Sequence, residues 1–284
     1  MTSFGSAHAF ARTSVEGRAA LVGYLPAGFP DVDGSIAALK LMVDAGCDII
    51  EIGLPYSDPV MDGPTIQAAA MQALQGGVRT SDVLRTVEAV AATGVPTLVM
   101  TYWNPIERYA GGAPDKPRGV ERFARDLANA GGAGLITPDL TPDSGADWIA
   151  AADEHQLDKV FLVAPSSTDE RLAMTTAECR GFVYATAVMG VTGARASTSD
   201  LAGPLVARTK AAVREGGFEL PVGVGLGVST GAQAAEVATY ADAVIVGSAF
   251  VRTLLDAGAD TRAGLASLRA LTDDLAAGVR GSLP

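Results

Sequence analysis

The sequence predicts one (β/α)8 TIM barrel spanning residues 1–284, with extra helices at the N-terminus and in loops. Three observations predict it. Short β-rich runs alternate with longer Ala/Leu-rich helical patterns from end to end, eight such pairs fit within the chain, and no linker or composition break divides it. A doubly wound open sheet is the lesser alternative for the same alternation.

The strands are read at Ala20–Leu25, Asp48–Ile52, Pro96–Tyr102, Ala133–Ile136, Lys159–Val163, Phe182–Thr186, Pro221–Val224 and Asp242–Val246. Between them lie the helical segments Ser35–Asp44, Ser81–Ala92, Val120–Ala130, Ser144–His155, Asp169–Thr176, Leu205–Glu215 and Ala232–Thr239, and helical sequence follows the last strand to about Gly278. Several helices stop at glycine just before the next strand, as at Ala45-Gly46, Thr93-Gly94 and Gly131-Gly132. Two connections exceed plain turns. Arg108 to Gly119 reads as a Gly/Pro-rich surface loop, either a tolerated insertion or part of a site, and Val188 to Pro204 as a lid able to fold over a ligand. Both leave strand C-termini, where barrels carry their sites.

Composition narrows the partners. A net charge of −11 argues against general affinity for nucleic acid or an anionic membrane, so an anionic metabolite needs a local site. The N-terminus has no apolar signal core and no later apolar run is long enough for a membrane span, which makes cytoplasmic the expected location. Cys47 and Cys179 lack metal-ligand spacing and read as buried free thiols.

Chemistry concentrates on Cys47 to Gln67. Strand alternation places Glu51 on one face with Ile49 and Gly53 and opposite Ile50 and Ile52, so both faces are apolar. An unpartnered carboxyl there has its pKa pushed up, by as much as about 3–5 when fully buried. It is either an acid/base group or half of an internal ion pair. In the following loop Asp58 reads as a turn-capping carboxylate, and Asp62 as either structural or functional.

Elimination points the same way. His8 and His155 lie off any strand end, and Lys40, Lys116, Lys159 and Lys210 offer no amine at a strand C-terminus, which argues against a Schiff base. No group has zinc spacing and no metal is assigned, although spacing alone leaves a carboxylate-bound Mg²⁺ open. What remains at strand C-termini is Glu51, Asp62, Asp139 and the phenols of Tyr24, Tyr102 and Tyr184, a set suited to proton transfer. Asp139 is equally able to cap the helix after Pro142, and the tyrosines to be core residues with satisfied hydroxyls. Glycines mark a second feature. Gly223 to Ser229 leaves the seventh strand, and Gly247-Ser248 leaves the eighth and opens a helix. Barrels bind phosphate there, although tight turns alone also require glycine.

The stretch from Glu51 through Asp62 to Gln67 resembles the signature of the tryptophan synthase alpha chain. The resemblance extends through Leu25-Pro-Ala-Gly28, Tyr102-Trp-Asn104-Pro, Pro138-Asp139-Leu, Gly190-Val-Thr192-Gly193, Gly225-Leu-Gly227-Val-Ser and Val246-Gly247-Ser248-Ala. It implies a lyase that splits indole-3-glycerol phosphate into indole and glyceraldehyde 3-phosphate. It also implies no cofactor in this chain, and docking on a pyridoxal-phosphate beta chain in an αββα heterotetramer. By motif, Glu51 is the general acid/base and Asp62 receives the indole N–H. Tyr24, Met100, Tyr102, Asp139, Tyr184 and Thr192 belong to the substrate pocket, with Thr192 securing the lid against Asp62. Gly193, Gly225, Leu226, Gly227, Gly247 and Ser248 contact phosphate. A free-standing lyase and a weakly catalytic regulatory subunit are the alternatives. The chain departs from the pattern at Ala110–Arg118, which resembles an insertion on the partner-facing side, at Val188, where some members carry arginine, and at Met61, where alanine is common.

Overall fold

A computed structural model describes residues 5–109, 119–186 and 199–281. The strands are β1 (Ala20–Pro26), β2 (Ile49–Gly53), β3 (Thr97–Met100), β4 (Gly134–Thr137), β5 (Asp158–Val163), β6 (Val183–Thr186), β7 (Val222–Gly225) and β8 (Ala243–Val246). All pair in parallel with their sequence neighbours, and β8 pairs with β1, closing the barrel. The helices are α1 (Ala7–Val15), α2 (Val32–Asp44), α3 (Pro64–Gln75), α4 (Thr80–Ala91), α5 (Trp103–Glu107), α6 (Val120–Asn129), α7 (Ala146–Glu154), α8 (Asp169–Glu178), α9 (Ser199–Glu215), α10 (Gly231–Ala238), α11 (Ser248–Ala257) and α12 (Thr261–Val279).

Alternation along the strands sorts their side chains into two cores. Val22, Ile49, Leu98, Ile136, Val160, Phe182 and Ile245 fill the barrel, with Met100, Leu162 and Tyr184 packed above them. Leu21, Leu25, Ile50, Ile52, Val99, Leu135, Phe161, Val183, Val224 and Val246 face the helices. The glycine stops appear where expected, since Gly46, Gly94 and Gly131 have φ of 118°, 90° and 79°, a left-handed backbone that side chains resist.

The bottom of the barrel is tied down by charge and by α1. Ser6 donates its N–H and hydroxyl to Asp158 at 2.7 and 2.6 Å, and Phe10 stacks on Phe182 with ring centroids 5.5 Å apart. Asp48, at the start of the run that continues into Glu51, accepts two hydrogen bonds from Arg18 at 2.7 and 2.8 Å and one from Arg12 at 2.7 Å. Burial works against its charge, yet the Arg18 hydrogen bonds prevail and hold it below the usual carboxylate range.

The structure corrects several boundaries. Helix α3 lies in a stretch to which the sequence reading assigned no element, its first residues belonging to the signature that ends at Gln67. Pro64 occupies its first position, where no N–H is required, so this proline opens a helix rather than extending a loop. The third strand ends at Met100 instead of Tyr102, because α5 begins at Trp103. Helix α9 begins at Ser199, inside the span read as lid, and tolerates Pro204 near its start. The helical run after β8 divides at Gly258, whose φ of 54° ends α11. Cys47 is a buried free thiol, while Cys179, also free, is only partly covered. Among the described residues no helix is long and apolar enough to cross a membrane.

Candidate active site at the barrel mouth

Glu51 stands on β2 between Tyr24 of β1 and Leu98 of β3 in the register of the sheet. It is 1% exposed, and its Oε1 has no hydrogen-bond partner. Among the described residues no arginine or lysine pairs with it, unlike the internal ion pair weighed from the sequence. Burial pushes its pKa up to about 8. Asp48 shows what a structural carboxylate on the same run looks like: it is covered with arginine, and Glu51 is not.

Asp62 lies in the loop between β2 and α3, partly exposed. Burial pushes its pKa to about 6, against a hydrogen bond with the Tyr102 hydroxyl that works the other way. That hydroxyl also accepts the Met61 N–H at 2.9 Å, so Tyr102 fixes the loop that carries Asp62. Tyr102 in turn packs against Tyr56 with ring centroids 5.2 Å apart, and Tyr56 accepts from Asn104 Nδ2 at 3.0 Å. Tyr56 was not singled out by sequence, although it lies inside the signature stretch. Asp58 is exposed and accepts from Ser57 Oγ at 2.6 Å, in keeping with a turn residue.

Tyr24 and Tyr184 face the same carboxyl. Burial raises both phenols well above their ordinary range, with Asp62 and then Glu51 adding to the effect at Tyr24, and Glu51 at Tyr184. Both remain neutral and able to donate. Each rests in space left by a glycine. A Cβ on Gly53 would overlap the Tyr24 hydroxyl, and one on Gly225 would overlap that of Tyr184. The sequence placed Gly53 on the same face as Glu51 without assigning it a role, and the role comes from the phenol on the neighbouring strand. Gly225 has a steric duty in addition to any contact with phosphate.

Asp139 does not cap the helix after Pro142. It is exposed at the rim and accepts the Trp103 N–H through Oδ1 and Oδ2 at 2.9 and 3.1 Å, so it caps α5 instead of the helix after Pro142. A free N–H at the start of a helix recruits the nearest carboxylate, and β3 and β4 are adjacent in the barrel.

At the opposite side of the mouth, β7 and β8 pair in register, which brings Gly225-Leu226-Gly227 beside Gly247-Ser248. Gly227 has φ of 75° and Gly247 is the N-cap of α11. The Leu226 side chain is buried in the outer core, so only its backbone is available to a ligand. The first N–H groups of a helix have no partner within it, so a helix start next to a glycine turn is suited to an anion. Thr192 and Gly193 lie outside the described residues, as do Val188 and Ala110–Arg118.

Residues 10–280 match the family described as tryptophan synthase alpha chain. The alpha chain of Salinispora arenicola is 62% identical over 272 residues, with 96% of each chain covered, and that of Acidothermus cellulolyticus is 60% identical over 280 residues, covering 99% and 98%. Among solved structures, Mycobacterium tuberculosis tryptophan synthase superposes with a TM-score of 0.86 at 55% identity, covering 99% of each chain. The alpha subunit from Legionella pneumophila superposes at 0.82 with 28% identity, again over 99% of each chain.

Proposed function

The chain belongs to the tryptophan synthase alpha chain family, and from that premise we propose that Glu51 and Asp62 divide the proton chemistry of its reaction. The chain is a lyase that cleaves indole-3-glycerol phosphate to indole and glyceraldehyde 3-phosphate in tryptophan biosynthesis. A retro-aldol of this kind uses the indole ring as its own electron sink. Protonation at indole C3 makes an indolenine, removal of the proton from the adjacent glycerol hydroxyl breaks the carbon–carbon bond, and the bonding electrons return to the ring.

The observation that carries the assignment is the opposed environment of the two carboxyls. With a pKa near 8, Glu51 holds a proton at neutral pH and gives it to C3, after which its carboxylate takes the hydroxyl proton. With a pKa near 6, Asp62 is ionised at neutral pH and accepts the indole N–H, stabilising positive charge as it forms. Tyr24, Met100, Tyr102 and Tyr184 line the indole pocket. The backbone of Gly225, Leu226, Gly227, Gly247 and Ser248 receives the phosphate; the roles that the family resemblance implies for Gly193 at the phosphate and Thr192 beside Asp62 fall outside the described residues. Asp139 belongs to the rim of the same pocket, where it holds the start of α5 beside Tyr102.

The partner in this reading is a tryptophan synthase beta chain in an αββα assembly, which holds the pyridoxal phosphate while this chain uses no cofactor of its own. Exposed Val60, Met61, Met71 and Leu74, clustered on the loop before α3 and on α3 itself, support a docked partner on this side. The whole assembly is assigned to the cytoplasm. A pH profile of kcat/KM for indole release, measured with the beta chain present, tests the division of roles. The rate should rise as Asp62 loses its proton near pH 6 and fall as Glu51 loses its own near pH 8. A profile flat across both values contradicts it.

A further inference from the structure

The geometry points to the Tyr24 hydroxyl as a third polar contact for the substrate, a donor to the glycerol hydroxyl beside the carbon–carbon bond that breaks. The inference deepens the reading of Glu51 and Asp62 and rests on it. It starts from the sheet register, in which Tyr24 is the direct neighbour of Glu51. The next inward position on β2 is Gly53, and the Tyr24 hydroxyl occupies the volume that a side chain there would fill. The phenol oxygen is therefore seated directly above Glu51 on the path toward the mouth, where the Asp62 carboxylate also bears on it.

The other end of the ring reaches the phosphate side. A Cβ on Gly247, at the start of α11, would lie 3.3 Å from Tyr24 Cδ1. One side chain thus spans the barrel top from the proton-transfer groups to the anion site, alongside the course a glycerol phosphate chain must take between them. Purely apolar lining would need only the ring. A half-buried phenol facing a site has a hydroxyl free to meet a ligand, and a polar oxygen held in a glycine notch beside Glu51 is suited to meet a ligand hydroxyl. Neutral under all working conditions, it orients that hydroxyl toward Glu51 without competing for its proton.

The test is Tyr24→Phe in the complex with the beta chain, with Glu51→Gln run alongside. Phenylalanine keeps the ring that fills the barrel and removes one oxygen. Indole-release kinetics should show kcat/KM lowered by about five- to tenfold, the loss of one neutral hydrogen bond. Calorimetric binding of indole-3-propyl phosphate, which has no glycerol hydroxyls, should stay within about twofold of wild type, because that ligand cannot use the contact. Unchanged kcat/KM in Tyr24→Phe overturns the inference. So does an equal loss of affinity for indole-3-propyl phosphate, which would make Tyr24 a packing residue. If Tyr24→Phe is unchanged while Glu51→Gln is inactive, only the hydroxyl contact fails. If Glu51→Gln turns over normally, the carboxyl reading beneath it fails instead.

Discussion

Glu51→Gln is expected to lower indole release by at least about 10²-fold while leaving ligand binding largely intact, and at the same time to stabilise the fold above neutral pH. Glutamine fills the same space and offers no proton to indole C3. The stability gain follows from linkage. In the unfolded chain Glu51 ionises around its ordinary value of 4.5, whereas in the folded protein burial keeps the proton on until about 8. Between those values the folded state binds the extra proton, so stability falls as pH rises, by at most about 1.4 kcal/mol per pH unit. Glutamine escapes this penalty. Urea unfolding of both proteins should therefore show no gain for the variant near pH 4 and a gain of a few kcal/mol, to order of magnitude, near pH 8. A wild-type rate, or a stability difference that ignores pH, contradicts the assignment.

Asp62→Asn is expected to reduce turnover by a similar factor, at least about 10²-fold, with a small change in KM. The amide preserves the size of the side chain and can still hydrogen-bond the Tyr102 hydroxyl, so the loop should hold its place. It cannot carry the negative charge that offsets the developing indolenine cation. The variant should also lose the acid limb of the pH profile near 6, since the group responsible is gone. An acid limb that persists unchanged in Asp62→Asn would assign it to another group.

The barrel was legible in the sequence because its determinants are local. β-branched runs such as Ile49-Ile50, helical periodicity, and glycine stops at Gly46, Gly94 and Gly131 each act within a few residues. Glu51 was legible for the same reason, as a carboxyl between apolar neighbours on one strand. What escaped depends on contacts between distant segments. The need for Gly53 comes from a phenol on the neighbouring strand, and the engagement of Asp139 comes from a helix start on another βα loop. Sequence alone does not distinguish Asp48 from Glu51 as buried carboxyls. The difference is made by Arg12 and Arg18, which reach Asp48 from the N-terminal segment. Helix α3 was missed because a proline that stops one helix opens another, and only the path of the chain decides which.

The proposed catalysis turns on one buried carboxyl that keeps its proton at neutral pH. The direct measurement is a titration of the Glu51 side chain, using ¹³C-labelled glutamate and NMR, with Glu51→Gln to assign the resonance. The expected result is a carboxyl that stays protonated through pH 7 and titrates near 8. A midpoint in the ordinary glutamate range, about 4–5, would show an ionised Glu51 at neutral pH and contradict it.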